Sequence, residues 1–342
     1  MSIRTFNGFD PNYTTLGVLG SGAFGTVTKV QRKADGKVVA CKSMRFTADK
    51  VDLIRREIIV LRALVGCRNV VQWMEDISYD VASNQIHLHM VYYPDGTLES
   101  FIKSQNGLVP KDTVIQIFCC MAMALLDCHS RGIIHRDIKP ANILLSKGMW
   151  NGQPTTIAYL ADFGIGKFSI SPLMPGGGLA GTLWMGTPLY MAPESFNMPN
   201  SYYGSESDIF SLGCVMYELC NLQNAYTGFS RTYVPLMKPA AALAYGSRLT
   251  PLIARCLALE PNMRINTADL VTSLQVYCAT RWQKKVVGSM WTSLAVKATT
   301  GALAAKRQAP HQAPYKLPAY TPPIYPGPAL LQAQRHAYQP PL

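Results

Sequence analysis

The sequence predicts an α+β protein of two lobes, a small strand-rich lobe followed by a larger helical one, with a basic, proline-rich tail. Three observations carry this. Up to Val91, short β-type runs alternate with turn residues around a single helical segment. From about Tyr93, long segments with apolar residues at helical spacing take over. After Asp269 no acidic residue occurs, and residues 310–341 hold nine of the 23 prolines. Such a composition favours an extended, disordered chain.

The elements follow in order. "LGVLGSGAFGTVTKVQRKADGKVVACKSM" reads as three strands, one ending near Leu19, one over 26–32 and one over 37–44. "ADG" at 34–36 supplies the hairpin turn between the last two. Apolar residues at 51, 54, 58, 61 and 64–65 predict a helix, with Gly66 as its stop. Two further apolar runs, near 69–77 and 86–92, complete the first lobe. Segments 111–131 and 206–222 are long apolar-periodic helices, and 249–259 and 267–279 are shorter ones. Residues 169–182, rich in glycine and proline, read as a mobile loop. This divides the chain into an extension over 1–12, a folded body over 13–278 and a tail over 279–342. Within the body the first lobe covers 13–91, and a connecting segment with the second lobe covers 92–278.

Composition limits the function classes. With 342 residues and 48% hydrophobic content the chain can bury a sizeable core. The most apolar stretch, "FCCMAMALL" at 118–126, is shorter than a bilayer span and reads as a buried helix. The start, "MSIRTFNGFDPNY", has no signal-peptide pattern. Nine cysteines without a CxxC read as reduced thiols of a cytosolic or nuclear protein. Of the net charge of +12, eight positive charges lie in residues 279–342, so the basicity belongs mainly to the tail.

The chemistry sits in a few motifs. "GSGAFGTV" at 20–27 spaces Gly20, Gly22 and Gly25 as G-x-G-x-x-G, so that backbone N–H groups can approach phosphate oxygens. A bare glycine-rich hairpin tip fits the same residues. Strand rather than helix follows the motif, which argues against a dinucleotide fingerprint and for a flap over phosphates. Lys42 ends the strand "VVACK" and reads either as a solvent-facing edge residue or as one half of an ion pair; Glu57, in the following helix, is its partner in the second reading.

"HRDIKPANILL" at 135–145 sets His, Arg, Asp, Lys and Asn beside an apolar run, where unpaired polar groups are costly. Asp137 can accept a hydrogen bond from a hydroxyl nucleophile, Lys139 can reach a transferred phosphoryl group, and Asn142 offers an oxygen to a hard cation. His135 reads as a packed imidazole bonded to backbone. "LADFGIG" at 160–166 supplies Asp162 as a second oxygen ligand, and Gly164 permits the turn. In "GTPLYMAPE" at 186–194, Thr187 is expected beside Asp137 and Lys139. Glu194 there needs a buried partner, for which Arg264 in "EPNMRIN" is the candidate. Asp208 in "SESDIFSLG" reads either as charge at a helix start or as an anchor for the backbone of the 135–137 turn.

In order and spacing these motifs resemble a eukaryotic-type protein kinase over about residues 13–278. The resemblance implies the bilobal kinase fold and transfer of the γ-phosphoryl group of ATP with Mg2+. It implies a nucleotide site of Leu19, Gly20, Ser21, Gly22, Ala23, Phe24 and Gly25 in the flap, with Val27 and Ala40 around the adenine. Met90 takes the gatekeeper position and Tyr92 lies in a hinge over 91–93. Lys42, Glu57, Asp137 and Lys139 take catalytic positions, and Asn142 and Asp162 those of metal ligands. "IKPAN" with Thr187 resembles serine/threonine kinases. "RKADGKVVACK", "HMVYYPDGTLESFI" and "SDIFSLGCVMYELCNLQNAY" are most similar to the NIMA-related (Nek) kinases.

The departures carry information too. The Lys42-to-Glu57 segment is short for that subfamily, "CRN" at 67–69 replaces His-Pro-Asn, and Phe210 stands where Trp is usual. Leu183 occupies the usual activating position, which leaves Thr182, Ser169 and Ser171 as candidate phosphosites. Protein substrates are implied. A pseudokinase scaffold is the alternative, disfavoured because the catalytic residues are all present. For the tail, a basic helix over 281–307 would suit an acidic or cytoskeletal partner, lipid or nucleic acid, and "PPIYP" at 322–326 a polyproline reader, against a plain solvated extension. No nucleic acid is expected at the folded body.

Overall fold

The structure, a computed structural model, describes residues 3–22, 25–150, 153–164, 167–168, 189–196, 203–226 and 239–281. All of them lie in a first compact unit, residues 1–284; the second unit, 285–342, lies outside the described residues. The expected loop at 169–182, Thr187 and the tail beyond 281 therefore also lie outside them.

The first lobe is a six-stranded sheet. Strands β2 (Tyr13–Gly22), β3 (Gly25–Arg32) and β4 (Val38–Arg45) form an antiparallel meander. The expected strand ending near Leu19 thus runs on to Gly22, because pairing continues to the hairpin tip. Helix α1 (Val51–Ala63) follows, ending slightly short of Gly66. Then come β5 (Trp73–Asp80) and β6 (Gln85–Val91), with β6 pairing β4. The apolar run from 69 begins as loop, since Val70 bridges Leu160 instead of joining β5.

A strand at the N-terminus, β1 (Arg4–Phe6), pairs in parallel with β5 and closes the sheet order β1-β5-β6-β4-β3-β2. Part of the expected extension is therefore sheet.

Alternation divides the sheet into two faces. On the inner face, Met44, Trp73, Ile77, Ile86 and Leu88 pack with Ile54 and Leu61 of α1. On the outer face, Tyr13, Val30, Val39 and Cys41 pack with Phe9.

The second lobe is helical. Helix α2 (Leu98–Lys103) is capped by Thr97, whose side chain accepts from the Ser100 N–H. Helix α3 (Lys111–His129) is long and apolar enough by composition to cross a membrane, but most of its residues are buried in the core. Strand β7 (Ile133–Ile134) precedes the polar loop, and a hairpin of β8 (Ile143–Trp150) and β9 (Gln153–Leu160) follows it. Strand β10 (Lys167–Phe168) pairs β7. Helices α4 (Ser205–Asn221), α5 (Pro239–Cys256) and α6 (Thr267–Arg281) complete the lobe. Within α5, Gly246 at φ +76 is non-helical and divides it into two helical stretches; the expected helix from 249 lies in the second, and the first, from Pro239, was not expected. All nine cysteines are buried and free of disulfides.

The turn after α1 ties the lobes together. Asp127 on α3 accepts from the Arg68 backbone N–H at 2.8 Å and from its guanidinium. The Asn69 side chain donates to the Ala158 carbonyl at 3.0 Å, and Leu160 N–H to the Asn69 carbonyl at 2.8 Å. The unusual "CRN" thus serves as a joint between α1 and β9.

Candidate functional site

Strand β4 sends Lys42 to the inner face, because its neighbours Cys41 and Ser43 point outward. On α1, Ile54, Glu57 and Leu61 share one side at helical spacing, so burying the two apolar residues brings Glu57 inward. The Lys42 ammonium donates to Glu57 Oε1 at 2.6 Å and to Asp162 Oδ1 at 3.0 Å. Burial alone would push the ammonium down; the two carboxylates outweigh it and hold the group above its ordinary value. Burial raises Asp162, yet Lys42 brings it below the usual carboxylate range. The Asp162 side chain keeps 38% of its surface exposed, so it is open to a ligand.

Asp162 sits at φ +62, a left-handed conformation that costs a non-glycine residue about 1–3 kcal/mol. The two residues after it fit the turn to its surroundings. Phe163 is buried with its ring edge against His135, centroids 4.6 Å apart. At Gly164 a Cβ would crowd Asp162 Oδ1 at 3.3 Å and touch Lys42 Nζ and Glu57 Oε2 at 3.6 Å, so glycine spares the Asp162 carboxylate a tight contact.

The loop over 135–142 is fixed from behind. Asp208, buried at the start of α4, accepts the backbone N–H of His135 at 2.8 Å and that of Arg136 at 2.9 Å. Its Oδ2 also meets His129 Nε2 at 2.9 Å, while His129 Nδ1 meets the Thr267 hydroxyl at 2.8 Å. The expected Asp208 anchor is therefore present, and His129 is a member of it that the motif reading missed; its only signal was a histidine ending α3 six residues before His135.

His135 Nε2 donates to the Ala161 carbonyl at 2.9 Å and Nδ1 accepts the Asp137 N–H at 3.3 Å, which matches a packed imidazole. Asp137 Oδ2 accepts from Lys139 Nζ at 2.7 Å and from Asn142 Nδ2 at 3.0 Å. Asn142 Nδ2 also donates to the Asp137 carbonyl at 2.8 Å, which commits its nitrogen and leaves its oxygen for other partners. Ala161 N–H donates to the Asn142 carbonyl at 2.9 Å. Two bonds to Ala161 thus join the Asp137 loop to Asp162, and Asp162 joins Lys42. The structure brings Lys42, Glu57, Asp137, Lys139, Asn142 and Asp162 together.

The hairpin of β2 and β3 lies beside this cluster. Gly20 pairs Val27, Ser21 pairs Thr26 and Gly22 pairs Gly25; Ala23 and Phe24 at the tip lie outside the described residues. Gly25 has φ +136, and a Cβ there would lie 2.1 Å from the Ser43 carbonyl oxygen. Val27 pairs Lys42 and Ala40 pairs Met90, which aligns these residues across the inner face toward Tyr92. Leu19 is exposed at the edge, and Lys29 stands over the Tyr92 ring at 4.8 Å.

The expected Glu194–Arg264 pair is bidentate, at 2.7 and 2.8 Å. The direct Lys42–Asp162 contact was not expected. Chemically, the cluster offers one buried ammonium, a carboxylate held by a lysine and an amide, and two oxygen donors. Asp162 and Asn142 fit Mg2+, which commonly takes one or two protein oxygens and completes its shell with substrate phosphates. Among the described residues no group of three or more His, Cys, Asp or Glu side chains forms a closed metal cage.

Comparison with known proteins finds a family and relatives for this chain. The family model described as protein kinase domain matches residues 13–274. Serine/threonine-protein kinase Nek3 of Mus musculus is 32% identical over 268 residues, which cover 76% of this chain and 48% of that protein. Nek8 of Danio rerio is 33% identical over 261 residues, covering 74% and 35%, and Nek2 of Homo sapiens 32% over 231 residues, covering 64% and 48%. The chain spans about half the length, or less, of these relatives.

Proposed function

From the premise that this chain belongs to the protein kinase domain family, we propose that it transfers the γ-phosphoryl group of ATP to serine and threonine hydroxyls of proteins, as a Nek-like kinase. The observation that carries the proposal is the continuous set of contacts from Glu57 through Lys42 and Asp162 to the Asp137 loop.

In this reading Lys42, steadied by Glu57, holds phosphate oxygens of the nucleotide under the 20–25 hairpin. Val27, Ala40 and Met90 enclose the base, and the hinge at Tyr92 borders it. Asp137 orients the acceptor hydroxyl and takes its proton; Lys139, 2.7 Å from that carboxylate, reaches the phosphoryl group in flight. A magnesium ion held by Asn142 and Asp162 would neutralise charge on the phosphates. Catalysis rests on positioning and electrostatics, because in-line transfer asks little covalent chemistry of the protein.

The test is the purified full chain with Mg-ATP and casein. Labelled phosphoserine or phosphothreonine from wild type, lost in Asp137→Asn, supports the proposal. Equal labelling by both, or none by wild type, refutes it. Nothing among the described residues favours a nucleotide-binding scaffold, since Lys42, Glu57, Asp137, Asn142 and Asp162 are all present and in contact. For the tail we propose an acidic or cytoskeletal partner. Its support is eight positive charges with no acidic residue from 279 to 342, and salt-sensitive co-sedimentation lost on deleting the tail would test it. The nine free thiols suit a reducing cytoplasmic or nuclear setting.

A further inference from the structure

The outer face of the first lobe carries a buried polar cluster that the proposed chemistry does not use. His87 and His89 project from β6 toward the N-terminal segment and are 2% and 0% exposed. His89 is stacked on Tyr13 at 4.1 Å, and Phe9 sets its ring edge against His87 at 5.1 Å. Neither ring nitrogen of His89 has a hydrogen-bond partner, nor has His87 Nε2.

The charges around them are largely committed elsewhere. Asp76 on β5 is 3.7 Å from His89 Nδ1, too far for a hydrogen bond, and already accepts from Tyr13 and Arg4. Asp10 Oδ2 lies 2.9 Å from Arg4 without a hydrogen bond while its Oδ1 accepts from Asn12, and Asp80 accepts the Gly8 N–H at 2.7 Å. From β4, Cys41 lies in the same packing cluster and the Ser43 hydroxyl meets His87 Nδ1 at 2.7 Å. Cys41 and Ser43 flank Lys42, so the cluster lies on the back of the strand that bears the site ammonium.

We propose that this histidine pair is an acid-sensitive latch. Protonating His87 and His89 introduces charge into a packed face, releases the segment over residues 4–13 from the sheet, and loosens β4 behind Lys42. Burial lowers both imidazoles below their ordinary value, and the neighbouring carboxylates do not restore it. The folded state therefore binds fewer protons than the unfolded chain, and the latch weakens as pH falls below about 6.5. The link to Lys42 rests on the phosphoryl-transfer reading; the release of residues 4–13 does not.

Hydrogen exchange of the full chain at pH 7.5 and 5.5, corrected for intrinsic rates, tests it alongside Mg-ADP binding. Residues 4–13 and 38–45 are expected to lose at least tenfold in protection at pH 5.5 while α3 keeps its protection, with Mg-ADP affinity falling about threefold or more. His89→Phe and the polar, uncharged His89→Gln and His87→Gln, each compared with its own pH 7.5 state, should flatten that response. Unchanged protection of 4–13, a parallel loss in α3, or the same pH response in every folded variant would overturn the latch. Failure of Mg-ADP to bind wild type at pH 7.5 would count against the nucleotide reading instead.

Discussion

Arg264 grips Glu194 through both carboxylate oxygens, at 2.7 and 2.8 Å, from a position where its own side chain has no exposed surface. The guanidinium also donates to the carbonyls of Ala258, Leu259 and Glu206, and lies 4.9 Å over the Phe210 ring. The pair thus joins the segment before α4 to the turn before α6. Truncating one partner of a buried, hydrogen-bonded ion pair strands the other charge. Arg264→Ala is expected to lower unfolding free energy by about 3–5 kcal/mol, measured by urea denaturation. Arg264→Lys should recover only part, because an ammonium cannot reproduce the bidentate fork and the three carbonyl contacts.

Lys42 and Asp137 allow a sharper separation of stability from chemistry. Lys42→Met leaves Glu57 buried beside an apolar chain, so it should cost stability as well as reduce kcat on the order of 10²–10³-fold. In Asp137→Asn the side-chain oxygen can still accept from Lys139 and Asn142. It should keep its melting temperature within a few degrees while kcat falls about 10²–10⁴-fold, the range for loss of a general base. Calorimetry beside steady-state kinetics checks both.

The residues of the site were legible where the need for a partner is local. An isolated lysine on an apolar strand pointed to Glu57 a helix away, and a buried Glu194 pointed to Arg264. Strand β1 was not legible, because its three residues pair with a strand more than seventy positions later and carry no pattern of their own. The joint at Arg68 and Asn69 was hidden for the same reason: its value lies in contacts to Asp127 and Ala158. The start of α5 was obscured because Gly246 and Pro251 interrupt the helical spacing that revealed α3 and α4.

Gly25 is the glycine of the flap whose side chain the fold excludes. A Cβ would lie 2.1 Å from the Ser43 carbonyl oxygen and would require φ +136. Gly22→Ala meets no atom within 4 Å. Gly25→Ala should therefore lose about 1–3 kcal/mol and raise the KM for ATP several-fold by lifting the hairpin off β4. Gly22→Ala should stay within about 0.5 kcal/mol of wild type. Equal effects of the two substitutions would mean that the hairpin tip does not close on β4 in solution.

Asp208 accepts from His129 and from the backbone of His135 and Arg136, which makes it the anchor of the Asp137 loop. Arg136 has φ +72, so the turn it anchors is strained and will relax once released. Burial raises the Asp208 carboxyl, but His129 and its other partners leave it below the usual range. A depressed folded-state value means that this stability is present above the unfolded value of about 3.9 and is lost as pH falls through the folded one. Asp208→Asn replaces an acceptor by an amide N–H facing donors. It should flatten the acid limb of the stability curve and reduce kcat at least tenfold, while the KM for ATP changes less than about threefold because the residues proposed to enclose the base lie in the other lobe. Unfolding curves from pH 3 to 7 and initial rates at pH 7.5 separate these effects. A KM rise as large as the kcat loss would place the consequence of this anchor in nucleotide binding rather than in the position of Asp137.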